Sequence, residues 1–179
     1  MSIIEWYVLR TACGKEDAVL VILRKMFFEV EFIYPRRRVS WRKQGRIIDL
    51  LRPLFEGYLF VVCPKERITL FDQLLRMSKL NIAWLVYSAG TLVPILNAER
   101  QLIQQLIGSD GIVDVSMVKN RNNQLEIVNG PLVGLENIVK KVSRRKRRIT
   151  VEIPIFEEKR DIELEGILVD TDIKEGRLT

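Results

Sequence analysis

Histidine is absent from all 179 residues, and cysteine occurs only as Cys13 and Cys63. Without imidazole the commonest general base is missing, and Cys13 has no His partner to activate it as a nucleophile. A structural zinc centre normally takes four Cys or His ligands, so no metal is expected, and no other cofactor either. Both cysteines lie in or beside apolar runs, which fits buried thiols in a reducing compartment. No apolar stretch approaches the ~18 residues of a membrane span. The N-terminal residues Met1-Ser2-Ile3-Ile4-Glu5-Trp6 lack the basic region and small-residue cleavage site of a signal peptide. A cytoplasmic protein with no membrane partner is therefore expected. The turn Gly130-Pro131-Leu132-Val133-Gly134 lacks the Lys-Ser/Thr ending of a phosphate-binding loop. Carboxylates are plentiful late in the chain, but nothing sets two of them around a pocket. These absences argue for a binding protein rather than an enzyme.

Positive charge is present and unevenly spread. The formal net charge is +6, and hydrophobic residues make up 47% of the chain, enough for a packed core. Residues 116–148 carry nine basic and two acidic side chains, whereas residues 149–179 carry four basic and nine acidic. The basic excess peaks at residues 140–148, where seven of nine positions are Lys or Arg. An apolar pair, Ile138-Val139, precedes the cluster, and a second apolar run, Ile149-Thr150-Val151-Glu152-Ile153, follows it. That pattern predicts a β-hairpin carrying the charge on one loop. Polyphosphate is the natural counterpart of such a loop.

Periodicity predicts strands over residues 3–10, 31–41, 56–63 and 82–87, and helices over 15–28, 67–78 and from Asn97 to about 107. Strand alternation puts Ile4, Trp6 and Val8 on one face, with Tyr7 and Leu9 on the other. The order β-α-β-β-α-β-α points to an α+β sandwich, with helices on a mainly antiparallel sheet. Gly108-Ser109-Asp110-Gly111 breaks the pattern and opens a linker over residues 109–120. From residue 121 onward only strands are convincing: 124–128, 135–142, 149–155, 160–164 and 167–169. Short strands at this spacing suggest a small barrel, followed by an acidic tail. The β-branched density of Val128, Ile138, Val139, Val142, Ile149, Val151 and Ile153 favours strand over helix here.

Three motifs then resemble the NusG family of transcription elongation factors. One is Trp6-Tyr7-Val8-Leu9 followed by Cys13-Gly14-Lys15-Glu16. Another is Pro53-Leu54-Phe55-Glu56-Gly57-Tyr58-Leu59-Phe60-Val61, similar to the family's Phe-Pro-Gly-Tyr strand. The last is Gly130-Pro131-Leu132-Val133-Gly134-Leu135-Glu136-Asn137-Ile138-Val139, similar to a KOW motif. Glu56 stands where the family usually has Pro, and Asn137 where it usually has Gly. A left-handed backbone, which Asn tolerates, is expected at residue 137. The resemblance implies an N-terminal NusG-type (NGN) α/β domain over residues 1–108 and a KOW β-barrel over residues 121–179. The strongly basic loop makes the chain most similar to the specialised LoaP-type antiterminators. It is less similar to RfaH, whose polar gate-loop contact Ile68-Thr69 does not reproduce.

The resemblance also assigns roles. Aromatics matching Tyr7, Phe55, Tyr58 and Trp84 line a depression that receives the clamp helices of RNA polymerase. Exposed aromatics make plausible anchors because they bury much area at low entropic cost. The stretch Arg36, Arg37, Arg38, Arg42, Lys43 and Arg46 is implied to approach upstream or non-template DNA, reading phosphate rather than sequence. Lys140, Lys141, Arg144, Arg145, Lys146, Arg147 and Arg148 are the expected RNA-binding residues, with a structured leader hairpin as the partner. The implied function is antitermination by a monomeric factor that suppresses pausing on transcripts bearing that RNA. Two alternatives remain open at this point. One is a general NusG-type factor whose KOW domain binds ribosomal or termination proteins, and the other is a ribosome-associated KOW protein.

Overall fold

A computed structural model describes residues 3–121, 124–156 and 158–169, with the backbone alone at 42, 43, 120, 121, 124 and 125. The acidic tail beyond residue 169 lies outside the described residues. The chain separates into two compact units. One joins Met1–Arg36 to Pro53–Gln104, and the other joins Arg37–Arg52 to Gln105–Thr179.

The first unit is built on a four-stranded sheet in the order β2-β5-β1-β6. Its strands are β1 (Ile4–Thr11), β2 (Glu31–Ile33), β5 (Tyr58–Pro64) and β6 (Ala83–Leu85), all paired antiparallel. β5 is a nearly unbroken apolar run, buried on both faces, as a central strand must be. Helices α1 (Glu16–Met26) and α2 (Ile68–Met77) supply Val19, Leu20 and Leu23, and Ile68, Phe71 and Leu75, to one core. Tyr7, Leu9, Leu59 and Val61 meet them from the sheet. The buried Glu16 carboxylate accepts the Gly57 amide at 2.7 Å, tying the start of α1 to the turn before β5. The strand expected over residues 31–41 breaks at Pro35, which cannot donate to a ladder. Beyond β6, the short strands β7 (Tyr87–Ser88) and β8 (Thr91–Leu92) pair in a hairpin ahead of α3 (Asn97–Leu106). At the start of α3 the buried Glu99 reaches back to the Leu96 amide at 2.9 Å, the reciprocal half of a capping box. Asn97 accepts a bond from Arg100 at 2.7 Å, and the cap is made by Glu99.

The second unit holds the hairpin of β3 (Arg36–Lys43) and β4 (Arg46–Pro53), with β9 (Ile112–Val113) beside β3. Gln44 and Gly45 both have positive φ, 50° and 78°, the two-residue turn whose twist suits a hairpin. The Gln-Gly pair marks the turn into the strand β4 that follows it. The main sheet runs β11-β10-β14-β13-β12. Its strands are β10 (Ser116–Arg121), β11 (Gln124–Asn129), β12 (Val139–Ser143), β13 (Arg148–Ile155) and β14 (Glu158–Val169). Neighbours pair antiparallel except β10 and β14, which run parallel. Among the described residues β11 and β12 are edges that do not pair, so the expected closed barrel is an open five-stranded sheet. Residues 116–120, expected as linker, are strand. The separate strands expected over 160–164 and 167–169 form one continuous β14.

Alternation explains this core. Ile149, Val151, Ile153 and Ile155 of β13 are fully buried, with intermediate residues between them. Gly166 lies on β14 where an added Cβ would come within 2.5 Å of Ile149, so only glycine fits. Gly130 has φ +100°, and a Cβ there would meet Ser116 Cα at 2.6 Å. The motif turn therefore seats against β10, and buried Ser116 accepts the Leu132 amide at 3.3 Å. Asn137 is not left-handed. It lies in a 3-10 turn, Glu136–Ile138, while Gly134 takes the positive φ of 78°.

Candidate nucleic-acid interface

β12 and β13 pair as far as Ser143 and Arg148, leaving residues 144–147 as the turn between them. The Arg147 amide donates to the Arg144 carbonyl at 3.2 Å, and Arg147 takes φ 54°. A left-handed arginine costs on the order of 1–2 kcal/mol. The Gly166 amide holds the Arg147 carbonyl at 3.1 Å, fixing the turn against β14.

The seven basic residues are not equivalent. Lys140 reaches Glu152 at 2.7 Å and Asp161 at 2.9 Å, and Lys159 also reaches Glu152, at 2.8 Å. Hydrogen bonds from Lys140 and Lys159 hold the Glu152 carboxyl down at about 2, against an ordinary 4.5. The same contacts raise the Lys140 pKa. Arg148 is largely covered. It donates to Glu165 at 3.2 Å and to the Ser40 carbonyl at 2.9 Å. Arg147 lies 3.9 Å from the other oxygen of Glu165. Glu165 itself is 2% exposed and also accepts the Ser40 amide. A buried carboxylate is tolerated only when paired and hydrogen-bonded in this way. Lys140 and Arg148 are thus engaged in ion pairs within the fold, and Arg147 is partly so. Lys141, Arg144, Arg145 and Lys146 are exposed and form no ion pair among the described residues.

The arginine stretch of β3 is likewise drawn inward. Arg36 stacks over the Tyr34 ring at 5.7 Å, Arg37 donates to the Glu163 carbonyl, and Arg38 pairs with Asp114 at 2.9 Å. All three are half-buried. The side chains of Arg42 and Lys43 lie outside the described part of the structure. Within the second unit the β3–β4 hairpin comes up against the basic turn. A cleft of about 270 Å³ separates Ser40 and Ile47 from Arg145, Lys146, Arg147 and Arg148, with Glu165 also lining it. Sequence reasoning treated these two clusters as separate sites, and Ile47 and Glu165 were overlooked. The apolar-rich Ile47-Ile48-Asp49-Leu50-Leu51 run after a Gln-Gly turn was the available signal.

The aromatic set divides between the two faces of the first sheet. The register Tyr7↔Val61 and Leu9↔Leu59 puts Tyr7 on the helix-covered face. Burial, reinforced by a 2.7 Å hydrogen bond to Glu5, raises its pKa. Tyr58 pairs with Arg10 and Phe60 with Val8, so they share the opposite face with Trp6. Trp6–Phe60, Phe55–Phe60 and Phe55–Tyr58 ring centroids lie 5.6, 6.2 and 6.4 Å apart. Tyr7 therefore lies on the face opposite Phe55 and Tyr58, and Trp6 lies on theirs. Tyr7, Phe55 and Tyr58 are 1%, 2% and 7% exposed, whereas Trp84 is 52% exposed. Trp84 pairs with Arg10 across β1 and β6, and the Arg10 guanidinium lies 5.6 Å from the Tyr58 ring centroid. The outward part of this face is therefore Trp84 and Arg10, backed by buried aromatics.

A protein-family model described as "Transcription termination factor nusG" matches residues 4–106, more than half the chain. No curated protein sequence matches significantly. A solved structure described as "Domain interaction in Thermotoga maritima NusG" is 19% identical to this chain. It covers 91% of this chain and 94% of its own, with a TM-score of 0.51. At that identity the likeness is one of fold.

Proposed function

The chain belongs to the NusG family of transcription factors, and on that premise we propose that it is an antitermination and elongation factor that engages RNA as well as RNA polymerase. The first unit docks on the polymerase clamp helices through the Trp84 and Arg10 surface and suppresses pausing. The second binds a structured leader RNA through Lys141, Arg144, Arg145 and Lys146. This is the LoaP-type role, in which the RNA contact confines action to selected transcripts. Two modest contacts on one chain reinforce each other, because the second is made at high effective concentration.

The observation that carries the reading is the set of four exposed cations, without carboxylate partners among the described residues, gathered at one turn and its strand. Like charges so close repel, and phosphates relieve that repulsion by displacing counterions. Arg144→Glu/Arg145→Glu is expected to abolish leader-RNA binding in a filter-binding assay, with far-UV circular dichroism unchanged. It should also remove RNA-dependent readthrough of a terminator in a purified transcription system. Wild-type RNA affinity in the double variant would overturn the reading. Trp84→Ala is the matching polymerase test, expected to weaken capture of the enzyme without altering RNA affinity.

A further inference from the structure

We infer that the cleft between the 144–147 turn and the β3–β4 hairpin receives a single unpaired nucleotide of the bound RNA, its phosphate on Arg145 and Lys146 and its base against Ile47. The inference rests on the RNA-binding reading above. The void of about 270 Å³ is bounded by strands on two sides. It falls just below the roughly 300–1,000 Å³ of sites for drug-sized ligands. One nucleotide fits such a space, and a duplex, convex and with its bases stacked inside, does not. Unpaired bases are also the part of an RNA that side chains can reach and read.

The walls match a nucleotide end to end. Arg145 and Lys146 are exposed and carry charge that no carboxylate offsets among the described residues. Arg148 is paired with the buried Glu165 at 3.2 Å, which answers its charge, whereas Arg147 lies 3.9 Å away and stays exposed. The exposed rim, where Arg145 and Lys146 have no carboxylate partner among the described residues, is the phosphate position. Ile47 is 54% exposed, an apolar side chain on the wall of the cleft. A flat base covering it removes apolar area from water. The inference also gives the hairpin a role in RNA binding, although 108 positions separate Ser40 from the Arg148 it contacts.

The test uses the full chain and two fluorescent RNAs, a stem–loop and a blunt duplex of equal phosphate count. Ile47→Asp places a carboxylate where the base would lie. It is expected to weaken stem–loop binding roughly tenfold, about 1.4 kcal/mol, and to leave the weaker duplex binding unchanged. Ile47→Phe keeps an apolar surface and should retain stem–loop affinity. 2-Aminopurine in the loop should change fluorescence on binding wild type and Ile47→Phe, but not Ile47→Asp. If Arg144→Glu/Arg145→Glu abolishes binding while Ile47→Asp alters neither RNA, or both equally, the cleft inference falls and the RNA reading stands. If the double variant binds normally, both fall. Competition by an excess of nucleoside monophosphate would reassign the cleft to free nucleotides.

Discussion

The steepness with which salt weakens RNA binding counts the cations that touch phosphate, and here the structure sets the count. Of the seven basic residues at 140–148, Lys140 and Arg148 are held by Glu152, Asp161 and Glu165, and Arg147 is held in part, 3.9 Å from Glu165. Lys141, Arg144, Arg145 and Lys146 remain. For single strands the slope of log K against log salt is about −0.7 per phosphate contact, so four contacts give roughly −2.8. Affinity should then fall about 50-fold between about 50 and 200 mM salt, whereas engagement of all seven cations would cost about 900-fold. Arg144→Ala/Arg145→Ala should halve the slope to about −1.4, leaving a loss of about sevenfold over the same interval. Lys140→Ala should leave the slope alone, because Lys140 already faces two carboxylates. Fluorescence anisotropy titrations across a salt series read all three directly. A slope near −5 that falls when Lys140 is removed would show that the ion pairs open on binding, and the partition of the cluster would be wrong. A slope near zero would remove phosphate contact altogether.

The remaining predictions concern the frame that presents the turn. Gly166→Ala drives a methyl into Ile149 and should destabilise the protein by about 1–3 kcal/mol, with Ile149→Val recovering part of the loss; an unchanged urea midpoint would refute the clash. Glu165→Ala leaves Arg148 without its carboxylate in a covered site and should cost about 3–5 kcal/mol in urea unfolding. Glu165→Gln should lose less, since its amide oxygen still accepts the Ser40 amide. For Glu152 the folded pKa is depressed, so its contribution to stability is present above about 4.5 and lost as pH falls through about 2. NMR titration of its side-chain carboxyl should show the low midpoint, and Lys140→Ala should move it upward.

Much of this molecule was legible without coordinates. The helices at 16–26 and 68–77 followed from apolar spacing, and the strands at 4–11 and 58–64 from dense aromatic and β-branched residues. These signals are local, and the structure keeps them within a residue or two. What was missed depended on partners. β4 mixes charged and apolar residues without clean alternation, and only its pairing with β3 defines it. Residues 116–120 read as linker because a strand next to a long partner such as β14 needs little apolar content of its own. The barrel expectation assumed that short strands at regular spacing close on themselves, whereas closure depends on pairing the first strand with the last. The grouping of Tyr7 with Phe55 and Tyr58 failed on parity. Tyr7 and Trp6 are adjacent in the chain, and the β1–β5 register decides which of them joins Phe55 and Tyr58.

The sequence alone determined that the chain has an α+β beginning and a β-rich end, that three family motifs stand in order, and that seven cations crowd one hairpin. These are properties of composition and short-range spacing, which the backbone's two periodicities convert directly into local structure. Tertiary structure decided which of those cations are available. Ion pairing requires a carboxylate within a few ångströms, and the ones that answer Arg148 and Lys140 are brought there by strand register, Glu165 and Asp161 from β14 and Glu152 from β13. The same pairing set Ser40 and Ile47 of a distant hairpin opposite the turn and so turned a basic loop into one wall of a cleft.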